Sequence, residues 1–197
     1  MPAKQQSRRG LIVSSAFMLA GLATGSIPFG WAQAATADGE ADEEALKQRF
    51  EYLSKNGNSS CSRQFRESIA SMPSTALIQG SCCSPMDEHR YIEQVNGLRQ
   101  FRDIAMIPAD PYDIPAALAQ KLMPYYELAL ADAEQAAYDF AMENSNEQGP
   151  CCCQCWRWHV YGGLAKYLIR EHRFTGEKVA RVWDLSDGCG GSGEHVH

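Results

Sequence analysis

The chain has 197 residues, 45% of them hydrophobic and 21% charged, and 18 Lys and Arg against 24 Asp and Glu leave a net charge of −6. That composition belongs to a globular domain with a real core, and the missing basic excess argues against nucleic-acid binding as the main activity. Eight cysteines exceed ordinary usage but stay below the about 8–10% of miniproteins held together by disulfides, so the thiols are not needed to replace a core.

At the N-terminus Lys4, Arg8 and Arg9 precede a mostly apolar run from Leu11 to Ala23, and Ala32-Gln33-Ala34 offers small residues for cleavage. Residues 1–34 therefore read as an export signal. Ser7-Arg8-Arg9 resembles a twin-arginine signal, a route that carries proteins already folded; an ordinary secretory signal predicts the same destination, the periplasm or extracytoplasmic space. Removing the signal leaves 163 residues with a charge of −9. No run in that mature chain approaches the length of a membrane span.

Residues 35–44 have the composition of a flexible leader, and the domain is expected over 45–191, with 192–197 as a tail. Leu46, Phe50 and Leu53 repeat at helical spacing, with Gly57 as a stop. Phe65 and Ile69 mark a second short helix after Cys61, broken at Met72-Pro73. A third helix carries Met86, Ile92, Val95 and Leu98, opening at Ser84-Pro85. Three prolines between Ile107 and Pro115 predict an extended connector. Leu118, Leu122, Tyr125 and Tyr126 share a fourth helix, interrupted near Pro124, and Asp132 with Gln135 has capping-box spacing for a fifth ending at Asn144.

From Trp156 onward Val160, Leu164 and Leu168 recur every four residues, predicting a helix that ends near Arg173. Its Gly162-Gly163 pair costs about 2 kcal/mol relative to Ala, which implies close helix–helix contact. Thr175 caps a last helix bearing Val179, Val182 and Trp183. No period-2 strand stands out. The expected architecture is all-α: six or seven short helices in a single domain, with a Cys-rich loop preceding a C-terminal helix pair.

That loop, Cys151-Cys152-Cys153-Gln154-Cys155, places four thiols within five residues, too close for all to pair with one another. In an extended segment Cys151, Cys153 and Cys155 point to one side and present three soft ligands to one ion. The following helix favours thiolate at its N-terminus, His159 can add an imidazole, and Cys189 can fold back from its Gly-rich loop. Such ligands select Cu(I) or Zn, with an iron–sulfur cluster ranking behind. His195 and His197 end the chain as another pair of ligand type. Cys152, Cys61, Cys82 and Cys83 remain candidates for redox or disulfide chemistry.

Two other readings stand beside metal binding. Eight is an even count, so four disulfides in an oxidising compartment, or a zinc staple, fit a structural module. Cys152 and Cys155 also have C-x-x-C spacing at a helix start, the arrangement of a redox dithiol, though the βαβ pattern of that class is missing. The chain shows no nucleophile elbow, no His-Glu-x-x-His and no phosphate loop.

Pro150-Cys151-Cys152-Cys153-Gln154-Cys155 resembles the motif of a bacterial exported-protein family named for its PCYCGC signature, with Cys152 in place of Tyr and Gln154 in place of Gly. The likeness extends over Ala137–Asn144, Val182-Trp183-Asp184 and Cys189-Gly190. It implies an exported, Cys-dependent helical domain and no defined reaction. Carried over, the family's cysteines fall on Cys151, Cys153, Cys155 and Cys189; where its members end in a C-x-x-C-like segment this chain has Cys189 alone, leaving Cys152 or His159 to complete the set. The expected function is metal sequestration or delivery, with an exported or membrane-bound metalloprotein as exchange partner.

Overall fold

The computed structural model describes the backbone of residues 30–190 and the side chains of residues 42–190. The export signal expected over 1–34 falls almost wholly outside the described residues, and the 192–197 tail, with His195 and His197, falls wholly outside. The described residues form seven α-helices: α1 (Gly30–Lys55), α2 (Arg63–Ile69), α3 (Glu88–Leu98), α4 (Ala116–Tyr126), α5 (Asp132–Asn144), α6 (Trp156–His172) and α7 (Gly176–Ser186). Among the described residues, none is long and apolar enough to cross a membrane.

Local chemistry places most helix starts. Ser62 accepts from Phe65 N at 3.1 Å to open α2, and Asp87 accepts from Arg90 N at 2.8 Å to open α3. The start of α3 therefore lies three residues beyond Ser84, because Ser84 is engaged with Cys189 O and the Asp87 carboxylate takes the capping role. Glu134 accepts from Ala131 N at 2.9 Å, so only this half of a capping box forms at α5, on Ala131 rather than Asp132. Thr175 caps α7 through Lys178 N. Thr175→Ala should cost about 1 kcal/mol, measured as a lower urea midpoint; an unchanged midpoint would show that the cap contributes nothing.

Three features depart from the expected elements. Helical backbone in α1 runs through 35–44, where a flexible leader is expected, because Ala and Glu are good helix formers. Pro124 lies in the last turn of α4, which runs on to Tyr126. The proline-rich connector ends in a strand, β2 (Asp113–Pro115), paired antiparallel with β1 (Leu77–Gln79) so that Ile78 faces Ile114. Three-residue strands are too short to reveal a period-2 pattern.

The core is built on α6. It buries Trp156, Val160, Tyr161, Leu164 and Leu168 and packs along α4, while α5 packs along α7. Each such side chain removed from water contributes roughly 1.5–3 kcal/mol. The backbone approach is closest at Gly163, where a Cβ would collide with the Leu122 carbonyl oxygen of α4. Trp183 of α7 donates from Nε1 to Tyr161 O at 3.0 Å and meets Tyr138 edge-on. A second small cluster of Leu53, Tyr91 and Tyr112 ties α1 to α3. Beside these packings four loops converge.

Candidate metal centre

The four converging loops each carry cysteine. Residues 56–62 lead out of α1 with Cys61, 80–87 follow β1 with Cys82 and Cys83, 145–155 precede α6 with four thiols, and 187–190 follow α7 with Cys189. Backbone hydrogen bonds hold them together. Asn58 N and Ser59 N both donate to Gln79 O, and Trp156 Nε1 donates to Ser59 Oγ at 3.1 Å. Cys82 N donates to Gly188 O, and Ser84 donates to Cys189 O from both N and Oγ, at 2.9 and 3.0 Å.

Asp187 is the clasp of the last loop. Its carboxylate accepts from Cys189 N at 3.1 Å and pairs with Arg90 at 3.1 Å, while its carbonyl accepts from Gln94 Nε2 and Tyr112 OH. The 187–190 loop is buried, so its polar groups need partners inside the protein.

All eight cysteines are free thiols, and all eight belong to one continuous sulfur network. Cys61 lies 2.8 Å from Cys83 and 3.5 Å from Cys153, and Cys83 lies 3.6 Å from Cys153 and 4.0 Å from Cys152. Cys189 lies 2.9 Å from both Cys151 and Cys152, Cys151 lies 3.9 Å from Cys155, and Cys82 lies 3.7 Å from Cys83. Cys151, Cys155 and Cys189 are buried, whereas Cys83 and Cys152 are exposed, so the network runs from the interior to the surface.

Protons are unevenly shared across it. Cys153 is pulled down to about 5, chiefly by its hydrogen bond from Cys151. Hydrogen bonds from Cys151, Cys155 and Cys189, with help from the Arg157 charge, hold Cys82 well below the ordinary thiol range. Cys151 rises because it donates to these neighbours, and burial pushes Cys61 and Cys83 up. Thiols that share protons this closely present lone pairs to one another, and a soft cation can replace those protons.

Beneath the thiols lies Arg157, fully buried. Its Nη1 donates to Pro111 O at 2.7 Å and Nη2 to Gly80 O at 3.2 Å, while Nε is a buried donor without a hydrogen-bond partner. Burial opposes its charge, yet Tyr161, Cys82 and Cys151 hold its proton more tightly than usual. Gly188 is required here, since a Cβ would overlap the guanidinium.

The sequence-derived candidates separate clearly. Cys151, Cys153, Cys155 and Cys189 enter the network, and Cys61, Cys82, Cys83 and Cys152, assigned from sequence to separate redox or disulfide roles, join them. His159 does not: its Nε2 accepts from Arg66 at 2.7 Å and its ring packs edge-on against Tyr126, while burial and the Arg66 charge lower its basicity. One turn into α6 its side chain faces α2 and α4 instead of the loops, and among the described residues every group of atoms close enough to share an ion consists of cysteines. Cys152 turns to Cys189 and Cys83, whereas Cys155 turns inward to Cys151, so the C-x-x-C pair is not held as one dithiol.

Two features escape a reading of the sequence: that Cys61, Cys82 and Cys83 join the other thiols, and that Arg157 lies beneath them. Cys61 and Cys82-Cys83 sit in Ser- and Gly-rich loops of the same character as that around Cys189, which is their only signal. Arg157 stands on the stripe of Tyr161, Leu164 and Leu168, a charge on an apolar helix face. No family model, curated protein or solved structure matches the chain. What fold and site define together is a mostly α-helical protein whose clustered cysteines can hold a metal ion.

Proposed function

We propose that this is an exported carrier that binds a soft metal ion, Cu(I) or Zn, through its thiolates, for sequestration or delivery. The observation that carries the reading is the convergence of all eight cysteines, from four separate loops, into one network. Thiolates favour soft ions over Mg or Ca. The graded burial supports exchange: Cys83 and Cys152 are accessible to an exported or membrane-bound metalloprotein, and the inner thiols retain the ion. A site assembled from four loops exists only in the folded chain, which agrees with a route that exports folded proteins.

The test is anaerobic. Reduced full-length protein passed through a desalting column after exposure to Cu(I) or Zn should retain metal, with its thiols protected from alkylation. The double variant Cys83→Ser/Cys153→Ser, which leaves one of the four sulfur groups intact, should lose most of that metal while keeping its helical circular dichroism. Absence of retained metal, with all thiols still reactive, would overturn the reading.

A further inference from the structure

We infer that the cluster takes up several Cu(I) ions at once, as a polynuclear centre whose thiolates bridge between ions. The inference rests on the soft-metal reading and specifies its metal and its stoichiometry.

Sharing is the first argument. The sulfurs fall into four groups whose members lie within 4.8 Å of one another: Cys83, Cys152, Cys153 and Cys189; Cys61, Cys153 and Cys155; Cys61, Cys82 and Cys83; and Cys82, Cys151 and Cys189. Cys61, Cys82, Cys83, Cys153 and Cys189 each belong to two groups. No two groups have more than one sulfur in common, so the groups are joined corner to corner. A thiolate that binds one ion keeps lone pairs for a second, and this corner-sharing is the topology of bridging sulfur. A mononuclear tetrahedral site would use one group and leave the other thiols crowded together without a ligand.

Coordination number is the second. Three of the four groups are trios. Structural Zn is almost always tetrahedral, with Zn–S about 2.3 Å, whereas monovalent, soft Cu(I) is satisfied by trigonal sulfur. An iron–sulfur cube would need its own iron and sulfide core between the thiolates, and the sulfurs of each group, within 4.8 Å of one another, leave no room for it inside that group.

Charge is the third. Eight thiolates around one monovalent ion per group remain net anionic, while one divalent ion per group would neutralise them. Arg157 is a buried cation whose charge faces Cys82 and Cys151 and whose Nε has no hydrogen-bond partner. A cation in that position is favourable beside an anionic centre and costly beside a neutral one. Loading needs no electron transfer: copper enters and leaves as Cu(I), and each thiol that ligates it releases its proton to solvent.

Reduced full-length protein titrated anaerobically with Cu(I), in competition with a chromophoric Cu(I) chelator, should take up about four ions per chain, one for each sulfur group. X-ray absorption of the loaded protein should show sulfur neighbours and a short copper–copper distance. Cys83→Ser, which removes a thiol shared by two groups, should lower uptake more than Cys152→Ser, which leaves a trio behind. Saturation at one ion with no copper–copper distance would overturn the polynuclear centre while leaving soft-metal binding intact. Retention of Zn with no uptake of Cu(I) would do the same. Equal uptake by the two variants would overturn the bridging, and failure to bind either metal would remove both readings.

Discussion

Gly163→Ala is expected to destabilise the protein by about 2 kcal/mol, against the usual direction of a glycine-to-alanine change in a helix. In an exposed helix the substitution gains about 1 kcal/mol of propensity. Here the new methyl group would meet the Leu122 carbonyl oxygen, a backbone atom of α4 that cannot rotate away, and overpacking of this kind costs about 1–3 kcal/mol or more. The steric effect wins because α6 and α4 form the main helix pair of the core. At about 2–4 °C per kcal/mol for a domain of this size, the thermal midpoint should fall by several degrees. Gly162→Ala is the control: its Cβ would meet the Tyr126 ring and Tyr138 hydroxyl, side chains that can shift, so its effect should be smaller. A Gly163→Ala protein as stable as the parent would show that the two helices have slack between them.

Arg157→Met should have the larger effect, about 3 kcal/mol. It leaves Pro111 O and Gly80 O buried without these donors, at about 1–3 kcal/mol each, offset in part because a charge no longer needs burying. It also removes the cation that helps hold Cys82 as thiolate. The pH profile of cysteine alkylation should therefore move to higher pH, since without a neighbouring positive charge a thiol keeps its proton longer. Arg157→Lys separates the two consequences. A lysine keeps the charge but cannot span both carbonyls, so it should restore the alkylation profile more fully than the denaturation midpoint. A methionine variant with the parent's midpoint and profile would leave Arg157 without the role its burial implies.

Much of the fold was legible because the helices declare themselves locally. The repeat of Val160, Leu164 and Leu168 marks α6, Thr175 caps α7 where the side-chain chemistry says it should, and Gly162-Gly163 announces a close helix contact. The small sheet was not legible, since β1 and β2 are three residues each and their pairing joins segments more than thirty residues apart. Three of the eight thiols were equally hidden as members of the site. Spacing within the 151–155 loop reveals its own thiols and says nothing of Cys61, Cys82 and Cys83. His159 looked like a ligand on spacing alone, and one helical turn directs it to Arg66.

The sequence by itself determined an α-helical chain with more cysteine than its core requires, concentrated before one helix. Only the tertiary structure decided that all eight thiols form one network. Hydrogen bonds from Cys82 and Ser84 to the 187–190 loop, and from Trp156 to Ser59, close contacts between residues about a hundred positions apart. Local periodicity carries no record of such contacts. They depend on how α6, α4 and α7 stack, and it is that stacking which brings four loops, and their sulfurs, together.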